Sequence, residues 1–216
     1  MQLRSDSFID GAAIPAEFAF ARLGDPVVLS DNRNPHLAWK DAPHATRSFV
    51  LTCIDADAPG KPDDVNKTGR SVPADLPRVE FTHWLMADIP AECGALGAGS
   101  CSEGVVAHGK RDPVGPPGTC QGLNDYTGWF AGDADMQGDY RGYDGPCPPW
   151  NDSIVHRYTF RIHALDVPTL GLPGKFNLAD LRAAMDGHVL AEATLEGRYS
   201  LNAAVLHAGA TKVNPV

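Results

Sequence analysis

Four stretches of this sequence alternate apolar and polar residues with a period of two: RSFVLTCID (47–55), VEFTHWLMADI (79–89), HRYTFRIHALD (156–166) and ATLEGRYSL (193–201). That period sends successive side chains to opposite faces of an extended chain, so each stretch predicts a β-strand with one buried face. Turn formers bound all four. The 18 prolines and 22 glycines are spread along the chain rather than gathered in repeats, which suits short strands joined by many turns and excludes an all-helical chain. At 216 residues and 43% apolar, the chain is long enough for one well-filled core. The expectation is a mainly β fold in one domain spanning 1–216.

One helix is well signalled, at NLADLRAAM (177–185): Asn177 can cap it, Asp180 sits in the first turn, Leu178, Leu181 and Met185 share a face, and Gly187 follows. It is expected to pack on the sheet. Two long connections remain. Residues 60–78 are polar, with Pro62, Pro73 and Pro77. Residues 108–153 hold nine glycines, six prolines and six aromatics, among them Tyr126, Trp129, Phe130 and Trp150. Disordered chain is poor in aromatics, so this second segment predicts an ordered lid or rim, or an oligomer contact.

The formal charge of -9 disfavours nucleic acid or an anionic membrane as a bulk partner, since such footprints need clustered Lys and Arg. Cys53, Cys93, Cys101, Cys120 and Cys147 are odd in number and form no CxxC pair. They read as reduced thiols in a cytosolic protein, with a Cys93–Cys101 bridge as the lesser alternative. The amino terminus meets Asp6 and Asp10 before any apolar run develops, and no later stretch approaches the roughly 20 apolar residues of a membrane span. The expected location is the cytoplasm.

The strand ends carry the chemistry. In HRYTFRIHALD one face is His156, Tyr158, Phe160, Ile162 and Ala164, so an imidazole and a phenol continue a hydrocarbon face to the rim of the core. Asp55 and Asp57 extend the face of Phe49, Leu51 and Cys53 in the same way, and His83 falls in step with Phe81, Leu85 and Ala87. Taken singly, each has a structural explanation: a satisfied buried histidine, or an Asx-turn ahead of Pro59. Together, two carboxylates, two imidazoles and a phenol are costly to bury unless they pair or meet a ligand. An aspartate accepting from one imidazole nitrogen favours the charged ring and leaves the other nitrogen to donate to an anion.

In YDGPCPPW (143–150) three prolines lack N–H groups, so from Gly145 onward Gly145, Cys147 and Trp150 are the backbone donors of a stiff turn. Such a turn can cradle an anion, or can simply join two strands. GVVAHGKR (104–111) misses the P-loop pattern, because Arg111 stands where Ser or Thr is needed and the prolines that follow forbid a helix. No GxSxG, HExxH or dinucleotide fingerprint occurs. Cys147 is the one candidate nucleophile, without a basic run beside it.

The motifs DADAP (55–59), HWL (83–85), GPCPP (145–149) and HRYTF (156–160), with IP (14–15) and NPHLAW (34–39) upstream, resemble in order and spacing the phosphatidylethanolamine-binding protein family, also called Raf kinase inhibitor-like proteins. The likeness runs from about residue 8 to 203 and is strongest to the bacterial branch. It implies a Greek-key β fold with a large antiparallel sheet, a smaller sheet and a few peripheral helices. It further implies a pocket for phosphate, acetate or a phospholipid head group, with Asp55 and Asp57 on the family's aspartates, His83 on its first pocket histidine, His156 and Tyr158 on its HRY pair, and Gly145, Cys147 and Pro148 in its pocket loop. A cis peptide before Pro59 and a non-proline cis bond near Val79–Glu80 are also implied.

Departures are the thiol of Cys147, where the family often has a small residue, and a longer aromatic insertion from Cys120 to Tyr143. The carboxy-terminal helix that eukaryotic members place beside the pocket is not evident in HAGATKVNPV (207–216), so kinase-inhibitor roles transfer poorly. The expected function is a non-enzymatic protein that holds a small anion or phosphorylated ligand, with no cofactor or metal. Alternatives are an inhibitor or scaffold acting on a protease or kinase, and a hydrolase using the Asp and His cluster. A homodimer is an expectation from bacterial relatives.

Overall fold

The computed structural model describes residues 1–210. In chain order its strands are β1 (Gln2–Arg4), β2 (Ala21–Leu23), β3 (Val27–Leu29), β4 (Leu37–Lys40), β5 (Ser48–Pro59), β6 (Arg78–Pro90), β7 (Ala95–Leu96), β8 (Cys120–Gln121), β9 (His156–Leu165) and β10 (Val189–Tyr199). The helices are α1 (Tyr126–Trp129), α2 (Leu178–Met185) and α3 (Ala203–Ala210). All four period-two stretches are strands, and they make up the heart of a five-stranded antiparallel sheet in the order β10-β9-β5-β6-β8. A three-stranded sheet (β1-β4-β7) and the β2-β3 hairpin are the smaller ones.

The large sheet is covered on both faces. Phe49, Leu51, Cys53, Trp84, Met86, Phe160 and Ile162 pack on one side with Leu37 and Trp39 of the three-stranded sheet. Val50, Leu85, Ala87 and Leu165 pack on the other with Phe176 and with Leu181 and Met185 of α2. Apolar residues therefore occupy both parities of β5, which is the signature of a central strand. Helix α2 begins as its sequence predicts: the Asn177 side chain accepts from the Ala179 and Asp180 N–H groups, and the Asp180 carboxylate accepts from the Asn177 N–H in return.

Three register shifts interrupt the β5–β6 ladder, and two of them shape the site. Cys53 pairs with Trp84 but Ile54 with Thr82, so His83 is the extra residue of a bulge on β6. The bulge turns His83 to the side of Trp84 and Phe81, whereas Leu85 and Ala87 lie under α2. The grouping of His83 with Leu85 and Ala87 is corrected accordingly, since unbroken alternation fails across an inserted residue. Further along, Asp55 pairs with Phe81 and Ala58 with Val79, so Ala56 and Asp57 oppose Glu80 alone.

Two other expectations are corrected. Among the described residues the cis peptide is Asp25–Pro26; the bonds before Pro59 and at Val79–Glu80 are trans, in keeping with strands that stay extended and paired there (Ala58 with Val79, Pro59 with Arg78). A helix, α3, ends the described part, opened by the Asn202 side chain accepting from the Ala204 N–H; the question of a pocket-side helix in HAGATKVNPV falls largely on residues 211–216, which lie outside the described residues. All five cysteines are free. No described helix is long and apolar enough to cross a membrane.

Candidate functional site

At the end of the large sheet where β5, β6 and β9 meet lies a cavity of about 560 Å3. Asp55, His83, His156 and Tyr158 form its polar floor, and Cys147, Pro148 and Pro149 one wall. The other walls are hydrocarbon: Phe20 and Phe81, Val28 and Leu29 of the hairpin, Val65 of the 60–78 connection, and Trp129, Phe130 and Met136 of the 108–153 segment. That segment is ordered through an aromatic cluster in which Tyr126 stacks on Phe20 and Phe130 (centroids 4.5 and 5.7 Å apart).

His156 is fully buried, and both its ring nitrogens reach carboxylates: Nδ1–H donates to Asp55 (2.7 Å) and Nε2–H to Asp152 (3.0 Å). Ionised carboxylates only accept, so the ring is an imidazolium. Burial opposes that charge, but the hydrogen bonds and negative charges of Asp152 and Asp55 outweigh it and push the ring up to about 9. Asp152 also accepts from both guanidinium nitrogens of Arg78, at 2.6 and 3.1 Å; despite its burial, these partners hold it below the usual carboxylate range. The chain Arg78–Asp152–His156–Asp55 is thus charge-balanced. The second nitrogen of His156, expected to be free for an anion, is taken by Asp152.

His83 points its Nδ1–H at the Asp144 carbonyl (2.7 Å), and the Asp144 N–H donates to the His83 carbonyl (3.1 Å). The reciprocal pair fastens the proline-rich loop to the β6 bulge. The Asp144 carboxylate is itself buried and accepts from Asn32 (2.8 Å), Asn124 (2.8 Å) and Lys110 (2.7 Å). Lys110, the lysine of the near-miss phosphate motif, is committed there. Burial pushes His83 below the ordinary imidazole value, against the pull of Asp55 and the Asp144 carbonyl.

Of the loop's three backbone donors, two have protein acceptors: Gly145 N–H goes to Asn32 and Trp150 N–H to Asn66. The Cys147 N–H has none among the described residues. Gly145 sits so close to Phe18 that a Cβ would lie 2.1 Å from the Phe18 carbonyl oxygen. Tyr158 is fully buried beside His83 (centroids 5.1 Å apart), and its hydroxyl has no hydrogen-bond partner.

A family profile described as phosphatidylethanolamine-binding protein matches residues 4–200. The chain belongs to that family. It is 33% identical to a UPF0098 protein of Methanothermobacter thermautotrophicus over 92% of this chain and 98% of that one. To UPF0098 protein YbhB of Escherichia coli it is 32% identical, over 93% of this chain and all of that one. Among solved structures, Escherichia coli YbcL, described as a new member of the mammalian PEBP family, aligns with a TM-score of 0.66 at 26% identity, covering 92% of this chain and 97% of that one. Family membership supports a binding-type protein.

The structure brings Asp55, His83, Cys147, Pro148, His156 and Tyr158 to the cavity wall. Asp57 is not there. The β5 bulge leaves it beside Arg157, whose N–H and guanidinium donate to it at 2.8 to 2.9 Å; although burial opposes, those bonds hold its carboxyl below the usual range. Gly145 lies behind the wall, holding the loop against Phe18. Asp152 and Arg78 both lie outside the four alternating stretches, so strand periodicity does not single them out. The available signal for Asp152 was its place four residues ahead of His156.

Proposed function

We propose that this member of the phosphatidylethanolamine-binding protein family is a non-enzymatic carrier of a small amphiphile. Its anionic, phosphate-type head group lies on the floor of the cavity and its hydrocarbon part along the walls. The observation that carries this reading is the Tyr158 hydroxyl: buried and unpartnered, on a residue that lines the cavity. A buried hydroxyl without an acceptor costs about 1–3 kcal/mol, which a phosphoryl oxygen would recover. The Cys147 N–H is the second donor. Floor and walls differ in polarity as the two ends of an amphiphile do.

Burial pushes the Cys147 thiol up to about 12, which disfavours it as the nucleophile of a hydrolase. An inhibitor or scaffold role keeps one specific support, the exposed Leu29 and Trp129 at the cavity mouth. Calorimetric titration with a short-chain lysophosphatidylethanolamine tests the carrier reading. Tyr158→Phe should weaken binding about tenfold, roughly the worth of one hydrogen bond. Unchanged affinity in that variant would overturn the assignment.

A further inference from the structure

We propose that the cavity takes up its anion together with one proton, which comes to rest on Nε2 of His83, so that binding is proton-linked and weakens as pH rises. This rests on the phosphate-type reading above and adds to it which protonation state is bound. The Asp144 carbonyl oxygen carries no hydrogen, so the 2.7 Å contact requires the proton to sit on His83 Nδ1. A neutral His83 in that tautomer presents a lone pair at Nε2, and Nε2 has no hydrogen-bond partner among the described residues. An unprotonated anion meeting that lone pair is repelled; an anion meeting Nε2–H is bound.

The surrounding charges lead to the same conclusion. From β5, Asp55 faces His83, and its charge is spent on His156 of β9. From β9, Tyr158 stands edge-on and is held as a neutral phenol by burial. Tyr126 of α1 is likewise a phenol, and Asp125 just before it adds a further negative charge. In the loop, Asp144 is offset by Lys110 and Cys147 is a thiol. With the Arg78–Asp152–His156–Asp55 chain balanced, no cation is left over on the floor. An anion entering this site would be a buried, uncompensated charge, and a proton on His83 supplies the missing counter-charge. The unliganded ring sheds that proton because burial disfavours it, which leaves it available to be gained on binding.

Two alkyl phosphates separate the possibilities. Hexyl methyl phosphate is a permanent monoanion, so its proton must come from solvent. Hexyl phosphate has its second ionisation at about pH 6 and carries its own P–OH below that. Titration calorimetry of the full chain in buffers of different ionisation enthalpy should show one proton taken up per diester bound. Its affinity should fall about tenfold per pH unit between about pH 6.5 and 8.5. The monoester should bind with no net uptake below about pH 6 and with one proton above it. Inorganic phosphate, run alongside, separates a free anion from a lipid-type head group. In His83→Gln the amide can donate without titrating, so diester binding should become flat with pH. Diester binding by the wild type that is pH-independent and takes up no proton would overturn the inference while leaving the carrier reading intact. No binding of any probe at any pH would overturn both. The histidine NMR signals give a check independent of the variant: in the diester complex His83 should remain an imidazolium at about pH 7.5.

Discussion

Replacing Asp152 by Asn tests the account of His156 as a clamped imidazolium. The carboxylate accepts from His156 and from two nitrogens of Arg78 while almost fully buried, so the variant leaves two cations with a poorer acceptor. Breaking a buried pair in this way costs on the order of 3 kcal/mol at neutral pH. The pH dependence is more diagnostic. The ring is raised from 6.5 to about 9, which at about 1.4 kcal/mol per unit corresponds to about 3 kcal/mol of folding free energy. Because the folded value lies above the unfolded one, this contribution is complete below about pH 6.5 and is lost as pH rises through about 9. Because burial opposes the rise that Asp55 and Asp152 supply, removing Asp152 removes at least half of the net. The stability gap between wild type and Asp152→Asn should then narrow by roughly 1.5 kcal/mol or more between about pH 6.5 and pH 9.5. Urea unfolding with linear extrapolation at both pH values measures the gap, and the difference cancels the cysteines, whose thiols ionise more readily in the unfolded chain. A gap constant within about 0.5 kcal/mol across that range would refute the clamped imidazolium.

Two further outcomes follow from other parts of the fold. His163 lies in the other face of β9, where burial, helped by Arg161 and Arg182 and opposed by Glu192, lowers it to about 4. The folded chain resists protonation that the unfolded chain accepts, so acidification from about pH 6.5 to 4 should cost up to about 3 kcal/mol through this ring, and His163→Leu should remove that share of the acid limb in urea titrations, leaving the share due to His83, Asp57 and Asp152; an unchanged limb would sink the assignment. Gly145→Ala should lower stability by about 3 kcal/mol, because the new methyl meets backbone, the Phe18 carbonyl, rather than a side chain that can turn away; an unaltered thermal midpoint would show that the loop is not wedged there.

The large sheet was legible because period two survives in every one of its long strands, and α2 because its cap and its apolar stripe agree. His156 and Tyr158 were placed correctly on the same ground: β9 pairs in register with β5 along its whole length from Leu165 to Tyr158. Where the ladder slips, the same reasoning misassigned faces. His83 was grouped with Leu85 and Ala87, and Asp57 with Asp55, because a bulge conserves the sequence pattern while shifting which side a residue occupies. Asp152, Arg78 and Asp144 carry no periodicity at all. Asp152 and Asp144 are placed by loop closure over the sheet end and Arg78 by the first pair of β6, and their importance appears only once distances between distant segments are known.

That division has a chemical consequence. The sequence treated His83 and His156 alike, each as an imidazole with one nitrogen held by an aspartate and the other free to donate. The structure separates them: two carboxylates saturate His156 and fix its charge, whereas a backbone carbonyl fixes the tautomer of His83 and leaves its Nε2 without a partner among the described residues. Two carboxylate partners outweigh burial and hold the proton they face, while the carbonyl partner of His83 orients the ring and favours its charge too weakly to outweigh burial. On the function proposed above, the bulge that hid His83 from the pattern of alternation is what gives the cavity a group able to answer the arrival of a negative ligand.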